Sequence, residues 1–207
     1  MSETPKYPNA NLYVLILAAE EVLGKNGLKS VLIQGGLEQL AGKYPPNNLD
    51  MEVPFSLYGR VEQAIEDFYG PRGSKAILSR VGRALFRYVL HEQEALFGLA
   101  SLALKALPKP ASQKLILARF VAVSSDNFNM PTELIEEKDR FLVRRTASPC
   151  QYRERNTADG CCDHVTLGTL KESVKWATGQ DYKAEQTQCL NLGDNYDEFV
   201  ISKTPAN

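Results

Sequence analysis

The hydrophobic period of this chain changes near residue 130, and that change limits the folds open to it more than any other feature. Upstream, apolar residues recur at helical spacing: Leu57, Val61, Ile65 and Phe68 in SLYGRVEQAIEDFYG. The pattern repeats with Ile77, Val81, Leu85 and Val89 in GSKAILSRVGRALFRYVLHEQ, where Leu78, Phe86 and Leu90 widen the stripe. Downstream, DRFLVRRTA alternates, with Phe141 and Val143 on one face and Leu142 and Arg144 on the other. Helices come first and strands late, without the strand–helix–strand alternation of a parallel sheet. The pattern predicts an α+β fold, its helices packed on a small antiparallel sheet.

Local signals divide the rest. The first ten residues, carrying two prolines, read as a loose tail. NANLYVLILAAEEVLGKNG reads as a helix capped by Asn9 or Asn11 and ended at Gly27, and LKSVLIQGGLEQLAGKY as a shorter one broken around Gly35-Gly36. Gly70-Pro71 closes the third helix, and Ser74 caps the fourth. EALFGLASLALKAL is apolar on nearly every side, so it is expected at the centre or as the wall of a cavity. Pro108 and Pro110 stop it, and Ser112 starts SQKLILARFVAVSSDNF. HVTLGTLKESVKWATG is a further helix, closed by Gly179. QDYKAEQTQCLNLGDNYDEFVISK is a terminal hairpin turning at Gly193. The acidic runs AEEV and IEEK read as solvated helix faces.

Several function classes lose support here. With 24 basic and 25 acidic residues the net charge is −1, and no basic surplus points to nucleic acid. The arginines 140, 144, 145, 153 and 155 form a local cluster that reads as a solvated strand and loop. No GxGxxG marks a dinucleotide site, GGLEQLAGKY lacks phosphate-loop spacing, and no GxSxG offers a nucleophile to either histidine. A catalytic role is therefore not expected. The N-terminus lacks the form of a secretory signal, and LYVLILAA is too short to span a bilayer. Four cysteines, two adjacent, do not make a secreted disulfide scaffold. A cytoplasmic location is expected, with peripheral attachment to a membrane left open.

The cysteines pose the sharpest question. Across a hairpin turning at Gly193, Cys189 and Asp197 should face each other, and Cys162 precedes the last helix. Those three, helped by Glu185, Cys161 or His164, offer a metal the ligand types that zinc takes; the alternative is that the cysteines are small core hydrophobes.

The stretch DGCCDHVTLGTLKESVKWATGQDYKAEQTQCLNLGDNYDEFVI resembles the 4-vinyl-reductase-like (hydrocarbon-binding) domain family, and YGPRGSKAILSRVGRALFRYVL looks like that family's ligand-side helix. The resemblance covers residues 55–203, with 1–54 as an N-terminal helical extension packed on the core and 204–207 as a tail. It implies a fold related to the TRAPP vesicle-tethering subunits, a homodimer, and an internal pocket for an apolar molecule. Zinc-binding relatives would place their ligands at Cys162, Gln186, Cys189 and Asp197. Gln186 and Asp197 depart from that pattern, so zinc is disfavoured as a cofactor. The pocket's expected walls are Phe86, Val89, Leu90, Leu96, Phe97, Leu104, Phe120, Phe141 and Val143.

The resemblance thus implies a non-catalytic binding protein for a tetrapyrrole, chlorophyll precursor or hydrocarbon, assisting pigment synthesis or photosystem assembly beside membrane-associated photosynthetic proteins. A TRAPP-like adaptor with a self-filled pocket and an accessory subunit in vinyl reduction are the rivals.

Overall fold

The computed structural model describes residues 4–92, 106–154 and 160–206. Strand β1 (Lys6–Tyr7) leads into helix α1 (Asn9–Gln34); β2 (Val53–Pro54) leads into α2 (Phe55–Glu92). Helix α3 (Lys109–Asn127) is followed by β3 (Thr132–Glu136) and β4 (Arg140–Arg145). Helix α4 (His164–Thr178) precedes β5 (Tyr182–Gln188) and β6 (Asp197–Pro205). Strands β3 to β6 form one antiparallel sheet in the order β3-β4-β6-β5, so the fold is α+β, its helices packed on small antiparallel sheets.

The first four sequence-read helices are two long, kinked ones. Helix α1 breaks at Gly24 (φ 73°) and continues through Gly27, because Leu28, Val31 and Leu32 still have a core to enter. Helix α2 breaks at Gly70 (φ 74°), directly before Pro71. Proline removes a helix donor and disfavours a helical predecessor, and glycine accepts the positive φ that results. The chain resumes at once, with Leu78, Val81 and Ala84 fully buried.

Three local readings are overturned. The N-terminal residues are not a loose tail: Lys6 and Tyr7 pair with Pro54 and Val53, and Tyr7 is buried. The IEEK run is no helix face but the end of β3, where Lys114 (2.7 Å) and Lys203 (2.8 Å) hold Glu136 and draw its carboxyl down to about 2. Within the arginine cluster, Arg145 and Arg153 are buried rather than solvated.

Two apolar clusters fill the interior. One joins α1 to the first half of α2 through Leu12, Leu15, Ile16, Val61 and Ile65. The other joins α2, α3 and α4 to the sheet through Phe86, Ile116, Leu170, Phe141 and Phe199. Helices α2 and α4 meet at two glycines. A Cβ on Gly82 would run into the Val165 carbonyl, and one on Gly168 into the Ser79 carbonyl. Asp163 Oδ1 caps α4 by accepting from the Thr166 N–H at 2.9 Å, and Gly179 ends it in the left-handed region (φ 74°).

Candidate functional site

The close α2–α4 crossing places Leu85, Phe86 and Val89 opposite Val165, Thr166 and Thr169. Phe120, Val123 and Ser124 of α3 face the same space, as do Tyr7, Tyr58, Phe128 and Met130. Together they line a largely apolar cavity of about 70 Å³. Larger depressions lie beside Lys171 and Lys183 (about 440 Å³) and beside Arg60 and Tyr152 (about 470 Å³), but their walls are at least as polar as they are apolar. Selective retention of an apolar molecule needs a mostly apolar lining, which makes the smaller space the candidate.

One end of the cavity is polar. The Tyr7 hydroxyl donates to Met130 Sδ at 2.7 Å, and its ring packs on Phe55 and Tyr58 at 4.5 and 5.1 Å. Burial raises the pKa values of the Tyr7 and Tyr58 phenols, keeping both protonated. Arg145 Nη1 donates to Thr166 Oγ1 at 3.1 Å and lies 3.7 Å from Met130 Sδ. The guanidinium is no spare cation, because it pairs with Asp163 and, through Nε at 3.2 Å, with Asp197. Two carboxylates against one guanidinium leave the polar end without attraction for an anion.

Of the residues read from the sequence as pocket walls, Phe86, Val89 and Phe120 lie along this cavity. Leu90, Phe141 and Val143 belong to the adjoining core cluster and do not line it. Leu96, Phe97 and Leu104 lie outside the described residues. The contributions of Tyr7, Tyr58, Met130 and Arg145 come from distant segments, and no sequence period announces them.

Behind Arg145 lies the cysteine region. Cys150, Cys162 and Cys189 are all buried, with their sulfurs within 4.8 Å of one another. Cys150 and Cys162 are joined by a disulfide, and Cys189 Sγ sits 3.5 Å from Cys162 Sγ. The Asp197 carboxylate turns elsewhere: it accepts from Arg145, from the Leu190 N–H at 2.9 Å and from Gln186 Nε2 at 3.1 Å. Gln186 also accepts from the Asp163 N–H at 2.9 Å. An amide both donates and accepts, so this glutamine ties α4 to the hairpin in a way that a carboxylate ligand does not.

A second buried network stands on the other side of the cysteines. Arg153 pairs with Glu66 and, at 3.5 Å, with Glu62, and donates to the Cys162 carbonyl at 2.9 Å. Burial pushes the Glu62 carboxyl up from 4.5 to about 7, against the pull of Arg153 and Arg145. A folded-state pKa raised in this way favours folding below the unfolded value, and the benefit is lost as pH rises through about 7. Glu62→Gln is expected to remove a slope on the order of 3 kcal/mol between pH 4.5 and 7. Urea midpoints of both proteins across that range test it; parallel curves would refute the assignment to Glu62.

No family model matches the chain, nor does any curated protein. Solved structures do match in fold. An Fe(II) unliganded H-NOX protein mutant from K. algicida is 11% identical, with 95% of this chain and 96% of that one covered at a TM-score of 0.61. An H-NOX structure from work on heme distortion is 13% identical, with 97% of each chain covered at 0.58. A trafficking protein particle complex subunit 3 from Naegleria fowleri, covalently bound to palmitic acid, is 13% identical, with 74% of this chain and 97% of that one covered at 0.54. At these identities the likeness is one of fold. Among the described residues no helix is long and apolar enough to cross a membrane.

Proposed function

We propose that the protein binds a hydrophobic small molecule in the cavity between α2, α3 and α4, without catalysis. The observation that carries this reading is a space with mostly aliphatic and aromatic walls and one hydrogen-bonded polar end. Its volume, about 70 Å³, is well below the roughly 300 Å³ at which pockets for drug-sized ligands begin, so a slim alkyl or acyl chain suits it better than a macrocycle. The palmitic acid held by the trafficking-complex subunit of similar fold agrees with such a ligand.

Haem, named for H-NOX relatives, fits poorly. Of the two histidines, His91 is exposed at the end of α2, and neither lines the cavity. The cysteines lie apart in their own cluster. Met130 Sδ already accepts two donors, and Tyr7 and Tyr58 resist the ionisation that a phenolate ligand requires. The tetrapyrrole reading, with its role in pigment synthesis or photosystem assembly and its homodimer, rests on the sequence resemblance alone.

The small volume also favours a second reading, a TRAPP-like adaptor whose interior is filled by its own side chains. Native mass spectrometry of gently purified protein separates the two. A co-purifying alkyl or acyl mass is expected, lost in a Val89→Phe variant that keeps its helical circular dichroism. A clean unliganded protein that also fails to bind a fluorescent fatty alcohol, an uncharged alkyl probe, would favour the adaptor.

A further inference from the structure

All four cysteines of the chain stand in one connected row. Cys150 is bonded to Cys162, Cys162 Sγ is 3.5 Å from Cys189 Sγ, and Cys161 packs against these three. Burial falls along that row. Cys150, Cys162 and Cys189 are at most 2% exposed, while Cys161 is only half-buried. Polar contacts hold the row in place. Ser148 Oγ accepts from the Cys150 N–H at 3.1 Å, Asp194 from the Cys189 N–H at 2.7 Å, and Arg153 grips the Cys162 carbonyl. Asn191 Nδ2 donates to the carbonyls of Cys150 and Arg153 at 3.0 and 2.8 Å, fixing the hairpin to the turn that bears Cys150.

We infer that the four cysteines form a thiol–disulfide relay that carries a disulfide between the core and a surface thiol, where it exchanges with a small monothiol of the glutathione class. Each step conserves electrons. Cys189 gives up its proton and attacks Cys162 Sγ; the Cys150–Cys162 bond breaks and Cys150 leaves as thiolate to take that proton. Cys161 then attacks Cys189 Sγ in the same manner and releases Cys162 as a thiol. At the surface one external thiol attacks Cys161 Sγ, freeing Cys189 and leaving a mixed disulfide. A second external thiol attacks that mixed disulfide and restores the Cys161 thiol. Two external thiols are thereby oxidised to one disulfide, and the protein disulfide is reduced to two thiols. Oxidation by the corresponding small disulfide runs the same steps backwards.

The bond that the relay opens and closes joins the turn of residues 149–152 to the residue before the α4 cap. Gly59 of α2 sits against the Pro149 carbonyl, and α4 supplies Val165, Thr166 and Thr169 to the cavity. The relay's redox state therefore bears on how firmly two walls of the cavity are held.

The test uses the full chain and glutathione. Protein equilibrated with oxidised glutathione, then denatured and alkylated, is expected to take two labels before reduction and four after, with a Cys150–Cys162 peptide pair. Four labels before reduction would overturn the proposal, as would a native mass showing a metal bound to unoxidised thiols. Reduced glutathione should open the bond in native protein at least tenfold more slowly in Cys189→Ala and in Cys161→Ser, with wild-type rates restored in denaturant. Unchanged or faster native opening in both variants counts against the relay. In Cys150→Ser, oxidised glutathione should generate a Cys162–Cys189 bond. Its absence from the peptide map would overturn the exchange step even where the other variants fold poorly.

Discussion

Gly82→Ala is expected to destabilise the fold by about 3 kcal/mol, at the upper end of what overpacking a core costs. The added Cβ has nowhere to go: it meets the Val165 carbonyl oxygen and carbon and the Thr169 nitrogen, all backbone of α4. A side chain would yield by changing rotamer, whereas backbone yields only if α2 and α4 separate. Separation also breaks the bond from Thr169 Oγ1 to the Gly82 carbonyl (3.1 Å) and loosens the partnered contact at Gly168. For a chain of this size each kcal/mol is about 2–4 °C in Tm, so a loss near 10 °C is expected. Gly73→Ala is the control. Its Cβ would meet only Tyr69 Cβ, at an ordinary 3.7 Å, so alanine's better helix propensity should stabilise by about 0.5–1 kcal/mol. Urea melts of both variants check the pair, and an equal effect of the two would refute the crossing argument.

The same glycines show what the sequence makes legible. The stripe Ile77, Val81, Leu85 and Val89 names the buried face of α2, and Gly82 lies in the sequence beside it. Nothing local says that this glycine receives another helix, because close approach belongs to the pair and not to either helix alone. Strand β4 and the terminal hairpin declare themselves by period two, for their alternating faces differ in polarity. Strand β3 does not: in TELIE neither face is fully buried, and its last residue, Glu136, serves Lys114 and Lys203 rather than water alone. The N-terminal strand is hidden for another reason. It is two residues long between prolines, and only its partners at Val53 and Pro54 make it a strand.

The site was legible in its apolar half. Phe86, Val89 and Phe120 follow from helical spacing, because a stripe that faces the core also faces any gap in it. Its polar half was not. The pair Arg144-Arg145 looks like two solvated charges, yet on a strand adjacent residues point to opposite faces. Arg144 meets Glu198 at 2.7 Å near the surface, while Arg145 is carried inside. The aspartates that make its burial tolerable lie 18 and 52 positions further along: Asp163 directly follows Cys162, and Asp197 stands eight positions after Cys189. Asp197 is thus an ion-pair partner in a place where spacing alone suggests coordination.

Replacing Arg145 by methionine is expected to cost about 3–5 kcal/mol, the range for removing one partner from a buried ion pair. Shape is nearly kept, so the loss measures charge: Asp163 and Asp197 stay buried, and among the described residues no other cation pairs with both. The hydrogen bonds to Ser148 Oγ (2.8 Å) and Thr166 Oγ1 (3.1 Å) go as well, which unpins the Cys150 turn and the start of α4 together. Two features distinguish this from simple core damage. An unpaired buried carboxylate has a raised folded-state pKa, so the deficit of Arg145→Met should shrink as pH falls and the aspartates take up protons. Adding Asp197→Asn should also cost less in the methionine background than in the wild type, by at least about 1.5 kcal/mol, because the charge it removes is then a liability. Urea melts at neutral and mildly acidic pH measure both effects. Additive losses that do not change with pH would mean that Arg145 acts through packing alone, and the polar end of the cavity would lose its electrostatic explanation.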